Sequence, residues 1–167
     1  EAMVAILREG FGNPSSLHWF GQRARATVEE ARGEVARLVG ASAAEIVLTG
    51  GGTEADNLAL RGVAGNAREP RRKIVCTTLE HHAVLHTLKA LGAEGWPVET
   101  VRASPGGLVD MDDLRARVDD RTALLSIMLA NNETGIVQPA AEAARLNWTG
   151  TTSSWGGVRC RGWRSVT

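Results

Sequence analysis

The chain predicts an α/β fold, a parallel or mixed β-sheet covered on both faces by helices. Strand-like and helix-like patterns alternate along most of the 167 residues, as they do in successive βαβ units. One strand-like run, 123–129, is apolar except for Ser126, and this near-continuous apolar character suits a central strand buried on both sides. A β-branched run, 46–49, leads into Gly50-Gly51-Gly52 ahead of an Ala/Leu-rich helical pattern, giving a strand, a tight turn and a helix start in sequence.

The elements follow in order. Asn13-Pro14-Ser15-Ser16 combines a cap residue with a proline suited to a first helical turn. After it Leu17, Phe20, Ala24, Val28, Ala31, Val35 and Leu38 recur at helical spacing, and Gly40 is placed as the C-cap. A strand is expected at 46–49, a helix at 54–63, a strand at 73–78, a helix at 83–91 and an extended segment at 98–102. Ser104-Pro105-Gly106-Gly107 is a turn; a helix at 112–118, the strand at 123–129 and a helix from Pro139 through Leu146 complete the pattern.

Composition narrows the function classes. The 19 basic and 19 acidic residues balance, so no net charge favours nucleic acid or an anionic membrane surface. The longest apolar runs are strand-sized, and no bilayer-spanning helix is expected. Two cysteines, Cys76 and Cys160, form no disulfide framework and fit a reducing, cytoplasmic setting. The start, Glu1-Ala2-Met3-Val4, resembles no signal peptide and lacks an initiator Met, so the chain is expected to begin partway into a longer protein.

Segments after three of the expected strands, 50–54, 80–82 and 131–135, all carry polar, ligand-capable residues. In open α/β sheets ligands gather at the carboxyl ends of the strands. Three consecutive glycines let the backbone approach a ligand with no Cβ in the way. The helix start behind them presents N–H groups and a positive dipole end, which favours an anion, most often phosphate. The alternative is an ordinary βα turn with Thr53 as its N-cap. His82 and His86, spaced i, i+4, could share a metal with Glu80 as a further ligand, but no second ligand cluster accompanies them and no metal is expected. His81 could instead stack on a flat ring or exchange protons near neutral pH. Asn131-Asn132-Glu133-Thr134-Gly135 suits either a polar ring edge or plain turn chemistry.

Taken together, these residues resemble the cysteine desulfurases of the class V aminotransferase group, which use pyridoxal phosphate. The resemblance rests on Phe11-Gly12-Asn13-Pro14-Ser15-Ser16, on Leu48-Thr49-Gly50-Gly51-Gly52-Thr53-Glu54-Ala55-Asp56-Asn57-Leu58, on Glu80-His81-His82-Ala83-Val84-Leu85, and on Ser126-Ile127-Met128-Leu129-Ala130-Asn131-Asn132-Glu133-Thr134-Gly135 with Gln138-Pro139. It implies an incomplete three-layer αβα domain with a mainly parallel sheet, as in the large domain of fold-type I pyridoxal phosphate enzymes, over residues 1–146. It implies that Gly52 and Thr53 hold the cofactor phosphate, that His81 stacks on the ring and assists proton transfer, and that Asn132 bonds near the ring hydroxyl or the substrate carboxylate. The implied reaction takes sulfur from L-cysteine as an enzyme persulfide and releases L-alanine. The implied partners are a sulfur-acceptor scaffold for iron–sulfur clusters or tRNA-thiolation proteins, with the parent enzyme a homodimer. A related lyase acting on another amino acid, such as selenocysteine, and a non-catalytic phosphate-ligand or partner-binding module are the alternatives.

The sequence departs from that pattern after Leu146. The family's Asp and Gln near the ring, its Ser-x-His-Lys motif with the Schiff-base lysine, and its loop cysteine have no counterpart here. Lys73 and Lys89, the two lysines of the chain, match no such position, and Cys76 reads as a small buried residue. Residues 147–167 contain three of the five tryptophans, no Asp, Glu or Lys, and no period. They read as an aberrant, frameshifted tail or, alternatively, as an aromatic and basic contact surface. The chain alone is therefore expected to be inactive, with part of its sheet unpaired and open to aggregation. Borohydride reduction after incubation with pyridoxal phosphate should leave no lysine adduct, and L-cysteine should yield neither alanine nor sulfide. A stoichiometric adduct on Lys73 or Lys89 would contradict this.

Overall fold

The computed structural model describes residues 2–146, 151–154 and 157–160, and the chain forms two compact units within residues 1–48 and 49–165. In the first, α1 (Ala2–Glu9) and α2 (Trp19–Val39) precede a 3-10 turn at Ala43–Glu45. The expected helix start at 13–16 is instead a closed turn. Asn13 Oδ1 accepts from the Ser15 N–H and its carbonyl from the Ser16 N–H, both at 2.9 Å. This turn lies so close to the helix start that a Cβ on Gly21 would fall 2.3 Å from the Ser16 carbonyl oxygen. His18 caps α2, its Nδ1 accepting from the Gly21 N–H at 3.4 Å. Gly40 ends the helix at φ 68°, the left-handed C-cap that its sequence position predicts.

The strand expected at 46–49 does not form a ladder among the described residues. The Ile46 carbonyl accepts from the Arg32 guanidinium of α2, and Val47 is 67% exposed. The apolar stripe along α2 is likewise no closed core: none of its members is buried, the buried residues of the helix are Gly21 and Ala36, and Leu38 is 86% exposed.

The second unit is the αβα domain. Its helices are α3 (Gly52–Asn66), α4 (His82–Ala93), α5 (Met111–Arg117) and α6 (Ala140–Ala143). Its strands are β1 (Lys73–Thr77), β2 (Val98–Val101), β3 (Thr122–Ser126), β4 (Thr151–Ser154) and β5 (Gly157–Cys160), in the order β2-β1-β3-β4-β5. All neighbours are parallel except β4 and β5. Of the segment read as an aberrant tail, the described residues are these last two strands; the remainder of that reading lies outside the described residues.

Alternation along β1 and β3 divides the core between the two faces. Ile74, Cys76 and Leu124 pack with Leu60 and Ala64 of α3 and with Val84, Leu88 and Leu91 of α4. Val75 and Leu125 pack on the other face with Leu114 of α5 and Ala143 of α6. The central strand is shorter than its apolar run. Ile127 and Met128 stay buried but leave the ladder, and Leu129 reaches 47% exposure.

At the amino-terminal edge of the sheet, Lys73 is buried with its ammonium bonded to the Arg117 carbonyl, 3.0 Å from Asp119 and 3.6 Å from Glu99. Partial burial works against the Asp119 charge, yet hydrogen bonds from Arg121 and Lys73 outweigh it and bring the carboxyl to about 2. A depressed carboxylate stabilises the fold above its unfolded pKa of about 4 and loses that contribution as the pH falls through the folded value. Asp119→Asn, which takes from a buried ammonium its nearest carboxylate, should cost about 1–3 kcal/mol in urea unfolding at pH 7, with the difference from the parent chain shrinking as the pH falls from about 4 to about 2. A cost independent of pH would contradict this assignment.

Candidate functional site

Two helix starts and one loop meet at the carboxyl ends of β1 and β3. α3 and α4 run side by side in the same direction. Thr87 Oγ1 donates to Asn57 Oδ1 at 2.7 Å, five residues into each helix, and Arg61 pairs with Glu94 at 3.1 Å further along. Their amino-terminal ends therefore lie at the same end of the layer, with both dipoles pointing their positive ends there.

At the start of α3 the N-cap is Gly51, not Thr53, and no side chain caps it. Thr53 sits inside the first turn, so the N–H groups of Gly52, Thr53 and Glu54 have no carbonyl one turn back to bond. A Cβ built on Gly51 meets no atom within 4 Å, leaving room in front of the turn. Glu54 bends back over the glycines, where its Oε2 accepts from the Gly50 N–H at 2.6 Å.

At the start of α4, His81 is the N-cap and its Nδ1 accepts from the Ala83 N–H at 3.1 Å. An accepting Nδ1 places the proton of the neutral ring on Nε2. The half-buried imidazole is thus fixed in tautomer and direction. His82 and His86 are exposed, with ring centroids 5.6 Å apart, and His81 lies 6.2 Å from His82. No group of three or more His, Cys, Asp or Glu side chains among the described residues is placed to hold a metal.

The third contribution is the loop after β3. Asn131 turns inward: its Oδ1 accepts from the N–H groups of Glu133 and Thr134 at 3.0 and 2.9 Å, and its Nδ2 donates to the Leu79 carbonyl at 3.3 Å. Asn132 is left exposed and makes no side-chain hydrogen bond among the described residues. Of the four residues singled out from sequence, Gly52, Thr53 and Asn132 face solvent and His81 stands half-buried beside them.

In sequence Glu80 could only add a carboxylate to a metal site that is not expected; in the structure the residue is 6% exposed and its carboxylate points into the protein. Oε1 accepts from Thr77 Oγ1 and the Met128 N–H, both at 2.8 Å, and Oε2 from Ser126 Oγ at 3.0 Å. Hydrogen bonds to a charged group contribute roughly 1.5–3 kcal/mol each, against several for burying the ion. Burial prevails and raises the Glu80 pKa, opposed by those three bonds and reinforced by the charge of Asp56. The local signal was weak, a Glu beside a Thr at the end of an apolar run. Cys76 is also buried, which pushes its thiol up to about 11, the Thr100 hydrogen bond opposing and the Glu80 charge adding; it is no ready nucleophile.

At the opposite edge of the sheet a cavity of about 320 Å³ is lined by Arg72, Lys73 and Arg121 among others. Those cations are already engaged, Lys73 and Arg121 by Asp119 and Arg72 by Glu69 and the Trp96 ring.

The domain is an αβα sheet with a glycine-led and a histidine-capped helix start at its carboxyl edge, the architecture of α/β proteins that take ligands at that edge. The chain belongs to the aminotransferase class-V family, whose family model matches residues 1–148, and this family depends on pyridoxal phosphate. It is 42% identical over 146 residues to the cysteine desulfurase IscS of Dictyoglomus turgidum, covering 87% of this chain and 37% of that protein. It is 48% identical over 147 residues to the IscS of Anaeromyxobacter sp., covering 87% and 36%. Among solved structures a NifS-like protein superposes with a TM-score of 0.84 at 38% identity, covering 91% of this chain and 43% of that one. SspA in complex with cysteine superposes with 0.78 at 30% identity, covering 87% and 42%. The chain spans less than two fifths of the length of these curated relatives.

The residues present fit the cofactor. An uncapped glycine-led helix start suits a dianionic phosphate, an oriented imidazole suits a planar ring, and an exposed amide suits a polar ring edge.

A carboxyl whose folded pKa is raised stabilises most below its unfolded value of about 4.3 and loses that contribution as the pH rises through the folded value. Glu80→Gln removes the titration while keeping an oxygen for Thr77 and Met128. Urea midpoints from pH 4 to 8 should therefore fall with pH less steeply in the Gln variant. Parallel curves for the two proteins would contradict the raised pKa.

Proposed function

We propose that this chain is the phosphate-cup portion of a pyridoxal phosphate-dependent cysteine desulfurase. The observation that carries the reading is the uncapped start of α3 at Gly51 beside the His81-capped start of α4. Pyridoxal phosphate, when bound, supplies the electron sink for chemistry at the amino-acid substrate. The chain's own residues bind and orient. The N–H groups of Gly52 and Thr53 would hold the phosphate; the His81 ring, with its exchangeable proton at Nε2, would stack on the pyridine; Asn132 would offer its amide to the ring hydroxyl or the substrate carboxylate.

For the whole enzyme, L-cysteine is the substrate we favour, supported by the names of the curated relatives and by the cysteine complex of SspA. Transfer of sulfur to a scaffold or tRNA-thiolation partner and a homodimeric state rest on the family resemblance, and a cytoplasmic setting rests on the absence of a disulfide framework in the sequence. The carriers of the covalent steps are not among the residues placed at this site, so binding is the activity to expect of the chain itself.

Gly51→Asp tests the cup with opposite signs in two measurements. The new carboxylate at an extended N-cap position would cap α3 and stabilise the fold by a few tenths of a kcal/mol, yet fill the anion position. Fluorescence titration should show pyridoxal phosphate binding weakened by at least about tenfold, and binding of pyridoxal, which lacks the phosphate, little changed. Equal affinity of parent and variant for pyridoxal phosphate would sink the proposal.

A further inference from the structure

We infer that Glu80 is a positioning residue for this site, its buried carboxylate fastening the turn that presents His81 to the loop that presents Asn132. The inference rests on the cofactor reading for its purpose, though not for its geometry. β1 and β3 are paired in parallel up to Cys76 and Ser126. Beyond that register the two chains separate, one turning into α4 and the other into the loop over 127–138. A backbone ladder holds them no further, and it is at this point that Glu80 acts.

The Met128 N–H, two residues past the end of β3, donates to Glu80 Oε1 instead of to a strand. Ser126 Oγ, the last side chain of β3, donates to the other oxygen. Thr77, the last residue of β1, donates to Oε1 across the turn at 78–79 that leads to Glu80 itself. A second strut runs alongside, from Asn131 Nδ2 to the Leu79 carbonyl. The carboxylate thus takes two of its three hydrogen bonds from the far chain, 46 and 48 residues away. Because its side chain is fixed inside the protein, the backbone one residue on, which carries the His81 cap, inherits a fixed direction.

Among the described residues no Lys or Arg forms an ion pair with Glu80; its hydrogen-bond partners are two hydroxyls and one amide. Shape and acceptor placement, more than charge, are what the site requires of it. A Gln at 80 keeps one oxygen for Thr77 and Met128 and turns its NH2 to Ser126 Oγ, so it should preserve the arrangement, whereas Ala abolishes it.

The test compares the parent chain with Glu80→Gln, Glu80→Ala and Leu114→Ala, the last opening a cavity in the core on the other face of the sheet. Amide hydrogen exchange is read at Met128 relative to Val75 and Leu125 in the strand interiors. The expected result is an increase of about tenfold or more in the Met128 ratio for Glu80→Ala, a change within about threefold for Glu80→Gln, and no selective change for Leu114→Ala. Pyridoxal phosphate affinity should follow the same order, falling about tenfold in Glu80→Ala alone, since small misplacements of positioning groups are costly. Should Glu80→Ala not fold, Glu80→Asp, which withdraws the carboxylate by one carbon, carries the same expectation. An unchanged Met128 ratio in the Ala or Asp variant, or a Leu114→Ala effect of the same selectivity, overturns the inference. If the parent chain binds no pyridoxal phosphate, the cofactor reading fails while the exchange ratios still decide the role of Glu80.

Discussion

Two parallel strands that end at the same edge must send their chains apart, and the functional end of this domain depends on holding those diverging chains together. The Thr77–Glu80–Ser126–Met128 cluster does so with a single buried carboxylate. The arrangement costs desolvation, visible in the raised pKa of Glu80, and returns order at a place where no ladder can supply it. Everything assigned to the site stands on one of the two chains it joins or on the helix start next to them.

The two ends of the sheet use opposite electrostatic solutions. At the amino-terminal edge a buried lysine is surrounded by acidic partners, and Asp119 is held far below its usual range. At the carboxyl edge a buried carboxylate is held by neutral donors while two helix dipoles direct their positive ends outward. Charge at the first edge is internally satisfied. The second edge keeps unpaired backbone N–H groups, and it is there that an incoming anion gains most.

Much of this was legible in the sequence because it is local. The apolar runs of β1 and β2 and the helical spacing of α4 lie within a residue or two of where they were read, and the glycine turn does stand at a helix start. What escaped was set by contacts distant in sequence or by neighbours the pattern cannot reveal. The run 123–129 reads as one strand, yet the ladder stops at Ser126 because Glu80, 48 residues away, claims the Met128 N–H. Thr53 is a good cap by residue type, but the chain reaches helical geometry at Gly52, and the cap falls on Gly51. The 46–49 run has strand composition without a partner among the described residues. Glu80 and Asn131 advertise ligand chemistry in a list of polar residues, and only folding turns them inward.

In the proposed function the phosphate of the cofactor sits on the first turn of α3, beside His81. Titrating the isotope-labelled chain with pyridoxal phosphate while recording amide and imidazole NMR shifts addresses it most directly. The largest changes are expected on the amides of Gly52, Thr53 and Glu54, on the His81 ring and on the Asn132 side chain. Changes concentrated instead around Arg72, Lys73 and Arg121 at the opposite edge, with the α3 start undisturbed, would contradict it.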